Sequence, residues 1–198
     1  MKLSKGIITL IIILGVLFLI FMWGKNGYNK MVSQEEGVIT AWSQVENVYQ
    51  RRADLIPNLV ATVKGYASHE RETLEGVVNA RAKATQTTID PTNMTPESMA
   101  KFQQAQGELS QAIGRLMVVV EQYPDLKASQ NFLELQAQLE GTENRITVER
   151  QKYNETARLY NTTIRLFPKN ILAGIFGFDK KEYFEAQEGA ESAPVVQF

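Results

Sequence analysis

The sequence contains no cysteine and a single histidine, His69. The first absence excludes disulfides, thiolate nucleophiles and thiolate metal sites, and the second excludes any arrangement that needs two imidazoles. HExxH, GxxxxGK[ST] and GxGxxG are missing as well, so no zinc-protease, P-loop or dinucleotide-binding signature is present. His69 sits in the charged stretch Ser68-His69-Glu70-Arg71-Glu72, which reads as an exposed turn with no nucleophile elbow to recruit it into a triad. Acidic residues are plentiful but interspersed with Lys and Arg, the pattern of solvated helix faces and interhelical pairs. No catalytic residue, cofactor or metal site is expected. Basic runs are also lacking. Of the 21 Lys and Arg only Lys2 and Lys5 precede residue 25, so the remainder carries 19 bases against all 22 acids and a net charge of −3. Such a mildly acidic body has no reason to bind nucleic acid.

What is present at the amino terminus is a run without charge, from Gly6 to Gly24. At about 1.5 Å per residue it reaches roughly 28 Å, close to the ~30 Å hydrocarbon core of a bilayer. A cleaved secretory signal has a shorter apolar run and a small-x-small cleavage site, whereas this run ends Phe21-Met22-Trp23-Gly24-Lys25. The segment therefore reads as an uncleaved transmembrane signal anchor, with Trp23 and Tyr28 at the interface and Lys25 and Lys30 toward the headgroups. Lys2 and Lys5 before the span bias the amino terminus to the cytoplasm and the body to the extracytoplasmic side.

Strand signals are scarce and helical periodicity runs almost throughout. Apolar residues recur at Met31, Val38, Trp42, Val45, Tyr49 and Ile56, then at Leu59, Val63, Tyr66, Leu74 and Val77, so the anchor continues into a long amphipathic helix. Pro57 removes the hydrogen bond to the Ala53 carbonyl and predicts a kink; Gly65 to Ser68 is a second possible break. Thr87 to Pro96 is built of turn formers, and Thr95 followed by Pro96 predicts an N-cap and first helical residue. The next helix carries Met99, Phe102, Leu109, Ile113, Leu116 and Val120, and ends near Tyr123-Pro124-Asp125. The last long helix is expected from Leu126 to Phe167 on the seam Ala128, Phe132, Leu135, Leu139, Ile146, Tyr153, Tyr160 and Phe167, ended by Pro168 and the Gly174, Gly177 pair. An apolar coda from Ile171 to Phe184 and a disordered tail, 186–198, follow. The expected architecture is all-α: an anchor over 1–27 and an elongated helical bundle over 28–185.

Two stretches invite a functional reading. In Arg51-Arg52-Ala53-Asp54-Leu55-Ile56-Pro57-Asn58, either Arg52 and Asp54 bond neighbouring helices while Asn58 recovers backbone groups freed by Pro57, or Arg51 and Arg52 shape a surface for another subunit or an anionic headgroup. Tyr153-Asn154 and Tyr160-Asn161 repeat seven residues apart on one helix face. They predict buried tyrosines whose hydroxyls reach polar partners and asparagines that bond across helices. Both asparagines also open glycosylation-acceptor patterns, a coincidence on a helix.

Through AWSQVENVYQRRADLIPNLVATVKGYASHE at Ala41 to Glu70, ARAKA at Ala80 to Ala84 and YNETARLYNTTIRLFPKN at Tyr153 to Asn170, the chain resembles the LemA family of bacterial membrane proteins. The resemblance implies a single membrane helix followed by an up-and-down four-helix bundle, a true break near Pro57 or Gly65, no established catalytic activity, and the bacterial inner membrane as location. Related proteins are linked to membrane organisation, magnetosome membranes included, and some accompany membrane metallopeptidases. The expected function is a non-enzymatic, membrane-anchored scaffold that forms homo-oligomers in the lipid bilayer and organises envelope proteins or membrane shape. The alternative is an adaptor that regulates an envelope protease or stress-response complex.

Overall fold

The structure, a computed structural model, describes residues 5–185. Lys2 and the expected disordered tail, 186–198, lie outside the described residues. Six helices account for the regular structure: α1 (Lys5–Tyr66), α2 (Arg71–Gln86), α3 (Pro96–Val120), α4 (Pro124–Lys127), α5 (Gln130–Arg165) and α6 (Lys169–Phe176), and no strand occurs among the described residues. The chain is an all-α helical bundle. It divides into two compact units, one of Met1–Thr40 with Glu155–Lys181, the other of Ala41–Asn154 with Glu182–Phe198.

The second unit holds a four-helix core. Ile56, Leu59 and Val63 from α1, Leu74 and Val77 from α2, Leu109, Ile113 and Leu116 from α3, and Phe132 and Leu139 from α5 form one apolar cluster. These are the positions that recur at three- and four-residue steps in the sequence, so the seams close on each other. Of the two places where the resemblance implied a break, Pro57 is not the one: α1 passes through it. The reversal comes at 67–70, just past Gly65 and Tyr66, and opens on the buried Ala67. Tyr66, assigned to the seam, is half exposed.

At the start of α3 the expected cap is complete. Thr95 Oγ1 accepts from Ser98 N–H at 3.1 Å and Ser98 Oγ accepts from Thr95 N–H at 3.0 Å, which satisfies two amides that the first turn would leave bare. The last long helix is shorter than its periodicity predicted. Pro124 opens the four-residue α4, the chain then breaks at Ala128 and Ser129, and Ser129 Oγ accepts from Phe132 N–H at 3.4 Å to start α5. Ala128 is consequently exposed, while Leu126 is buried.

In the first unit the apolar run at the start of α1 lies bare: Leu10, Phe18 and Phe21 are 57%, 62% and 66% exposed. Within the described residues this is the helix long and apolar enough to cross a membrane. Helix α5 ends at Arg165, so Phe167, placed on its seam, is 81% exposed. Pro168, expected to end the long helix, instead stands at the N-cap of α6, after a cis Phe167–Pro168 peptide. Gly174 lies inside α6, and Gly177 ends it at φ 72°, a left-handed conformation that a side chain would oppose.

Candidate functional site

Arg52 is the centre of the first stretch. It is 1% exposed and its fork is spread over two other helices. Nη1 donates to Ser110 Oγ at 2.8 Å and to Glu143 Oε1 at 2.9 Å, while Nη2 donates to Gln106 O at 3.1 Å and to Gln106 Oε1 at 2.6 Å. The planar guanidinium meets four acceptors at fixed angles, which an ammonium could not do. Its carbon lies 5.1 Å from the centre of the Tyr49 ring. Burial pushes the Tyr49 hydroxyl up from its ordinary pKa, against the pull of the Arg150 and Arg52 charges.

The other residues of this stretch behave differently from the expectation. Arg51 is exposed and forms no pair with Arg52, because adjacent residues on a helix point about 100° apart. Asp54 is exposed and accepts from Gln50 Nε2 on its own helix at 2.8 Å. Asn58 is exposed and does not recover the carbonyl freed by Pro57. That role belongs to Arg81, whose Nε donates to Ala53 O at 2.7 Å.

Both tyrosines of the Tyr-Asn repeats are buried as expected, but the asparagines do not bond across helices: their partner is the segment after α6. In the second unit Asn154 Nδ2 donates to Phe184 O and its Oδ1 accepts from Phe184 N–H, both at 2.9 Å. Tyr153 Oη donates to Glu182 O at 2.9 Å. In the first unit Asn161 Nδ2 donates to Lys181 O at 2.8 Å and Oδ1 accepts from Lys181 N–H at 2.9 Å. A primary amide has one donor group and one acceptor, so it can replace a neighbouring peptide in full. Both glycosylation-pattern asparagines thus spend their amide nitrogens inside the fold. Burial raises the pKa of both tyrosines, with further pushes from Glu182 on Tyr153 and from Glu35 and Asp179 on Tyr160.

Sequence reasoning missed the partners. Lys181 is 3% exposed and its ammonium lies 2.8 Å from Glu35 Oε1; a lysine within an apolar coda was the available signal. Gln106 is likewise a polar residue in line with the seam of α3. Phe184, at the end of the apolar coda, is buried, stacked 5.7 Å from Trp42, which also meets Phe102 at 5.2 Å and Tyr153 at 5.5 Å.

His69 is exposed in the turn after α1, and no group of three potential metal-binding side chains occurs among the described residues. An open cleft of about 230 Å³ beside Tyr49 is lined by Glu46, Gln50, Thr85, Thr87 and Gln106 among others. Glu46 is the one charged group in that lining, so it contains no acid–base pair.

These features define a class: a helical bundle with, among the described residues, one apolar helix of membrane-crossing length, a guanidinium clamp between helices and amide clamps on the segment after α6. The LemA family model matches residues 41–198, and the chain belongs to the LemA family. It is 30% identical over 186 residues to magnetosome protein MamQ 2 of Paramagnetospirillum magneticum, covering 85% of this chain and 68% of that protein. Magnetosome protein MamQ of Magnetospirillum gryphiswaldense is 27% identical over 98% of this chain and 78% of its own length. Protein LemA of Metamycoplasma hominis is 24% identical over 92% of this chain and 78% of its own length. The apolar helix and the family together fit a membrane protein.

Proposed function

We propose that this chain is a non-enzymatic scaffold of the bacterial inner membrane, anchored by Gly6 to Gly24, which self-associates and organises envelope proteins or membrane shape. The observation that carries the reading is α1 itself. One helix of 62 residues begins with an exposed apolar run and, within the same compact unit, goes on to supply the buried residues Met31 and Val38. A helix that carries both the apolar run and buried positions of one unit ties that unit to the bilayer, whereas a flexible tether would leave it free. Relatives named as magnetosome proteins support a role in membrane organisation. The Lys2 and Lys5 bias supports a cytoplasmic amino terminus and an extracytoplasmic body.

The test is size and company. Full-length protein in mild detergent, and crosslinking in native membranes, are expected to give discrete homo-oligomers. Monomer alone by both methods would overturn self-association. A stoichiometric membrane protease in the purified material would replace the scaffold with an adaptor.

A further inference from the structure

We infer that α6, with Leu166 and Phe167 before it, is a second membrane contact: an interfacial helix lying at the headgroup–acyl boundary of the bilayer that holds α1. The inference rests on the reading of Gly6 to Gly24 as a span. All the residues concerned belong to the first compact unit.

Composition comes first. Of Lys169-Asn170-Ile171-Leu172-Ala173-Gly174-Ile175-Phe176, only the first two residues are polar. One face meets protein: Ala173 is buried, Leu172 Cδ1 would lie 2.9 Å from a Cβ at Gly27, and the Phe176 ring centre is 4.9 Å from that of Tyr28. The opposite face carries Ile171 and Ile175, 54% and 68% exposed, next to Leu166 at 57% and Phe167 at 81%. A helix that is apolar all round is one that is covered all round. Here protein covers half of it.

Depth identifies the other half's partner. The contacts on α1 fall at Gly27 and Tyr28, three and four residues beyond Gly24 where the apolar run ends. At about 1.5 Å per residue this is roughly 5–6 Å past the hydrocarbon edge. The headgroup layer is about 5–8 Å thick on each side, so α6 is docked at its level, and interfacial helices bury their apolar face about 5–10 Å into that boundary. Glycine at position 27 permits the close approach, since any larger side chain would meet Leu172. Arg165 and Lys169 stand at the start of the element, where cations pair with anionic headgroups.

The absence of cysteine makes the test direct, because an introduced thiol is unique. Phe167→Cys, Ile171→Cys and Ile175→Cys, in the full chain, are labelled with an environment-sensitive nitrobenzoxadiazole and reconstituted into vesicles of phosphatidylethanolamine and phosphatidylglycerol. Phe18→Cys reports the span, and Val118→Cys, on the 67% exposed Val118 of α3, reports water. The expected result is a blue shift at 167, 171 and 175, with quenching by shallow nitroxide lipids exceeding that by aqueous iodide, and the reverse order at 118. If the label at 18 answers to lipid nitroxides while those at 167, 171 and 175 answer to iodide, this inference fails and the span stands. If the label at 18 answers to iodide, the span reading fails and takes the inference with it. Shielding of all three α6 positions from both quenchers would put a second copy of the chain on this face and overturn the lipid contact.

Discussion

Arg81 Nε donates to the carbonyl of Ala53 at 2.7 Å, and that carbonyl stands four residues before Pro57, which has no N–H to offer it. A proline inside a helix leaves one acceptor bare and crowds the preceding turn. Here a side chain 28 residues away fills the gap, so the bare carbonyl becomes a point of attachment for α2.

A double-mutant cycle tests that pairing. Arg81→Ala is expected to cost about 1.5–3 kcal/mol, the range for a hydrogen bond with a charged partner. In a Pro57→Ala background the new amide bonds Ala53, and the same substitution is expected to cost under about 1 kcal/mol. Equal costs in the two backgrounds, by urea denaturation, would refute the link.

Arg52 and Arg51 are expected to separate sharply. Arg52→Lys keeps the charge but cannot serve Ser110, Glu143 and Gln106 together, and it is expected to destabilise by about 2–4 kcal/mol. Arg51→Ala removes an exposed side chain and is expected to stay within about 0.5 kcal/mol. Similar thermal midpoints for the two variants would sink the distinction.

Removal of the Asn161 amide strands the backbone N–H and C=O of Lys181 in a buried site. Asn161→Ala is expected to cost about 2–4 kcal/mol and to speed hydrogen exchange at the Lys181 amide. Asn161→Asp retains the acceptor for Lys181 N–H but faces Lys181 O with a second acceptor, so it is expected to restore only part of the loss. Unchanged exchange at that amide in Asn161→Ala would argue against the clamp.

Trp42 is fully buried against Phe102, Tyr153 and Phe184, and its indole N–H has no acceptor among the described residues. Trp42→Ala is expected to cost about 3–5 kcal/mol through the cavity it leaves. Trp42→Phe, which gives up an unpaired donor and keeps a ring, is expected to cost clearly less. Calorimetry that ranks the two in the opposite order would contradict this packing.

Alkaline stability follows from the tyrosines. Tyr49, Tyr153 and Tyr160 have folded-state pKa values raised, first by burial, above the ordinary value of about 10. The unfolded chain therefore loses these protons first, and their contribution is complete below about pH 10 and declines as pH rises beyond it. Denaturant midpoints are expected to fall above about pH 10, with a shallower fall in Tyr153→Phe. A midpoint that rises there would reverse the sign and dispose of the argument.

Much of this protein is local and was therefore legible in the sequence. The exposed apolar run of α1, the turn after Gly65 and Tyr66, the Thr95 cap and the buried positions of α1, α3 and α5 each depend on residues within a turn or two, where spacing and propensity decide. The Tyr-Asn repeat announced its buried rings, though not the segment that its asparagines bind. What the sequence could not determine is which distant group answers each local need. Pro57 showed that Ala53 would want a donor, yet the neighbouring Asn58 is exposed and Arg81 supplies it. Arg52 finds Ser110 and Glu143, 58 and 91 residues away, and Asn161 finds Lys181, 20 residues away past two helix ends. Phe167 keeps the heptad spacing of Tyr153 and Tyr160 but lies beyond the end of α5, where a period no longer describes the chain. Periodicity states which side of a helix is buried; only the tertiary structure, by bringing complementary groups within about 3 Å, decides against what.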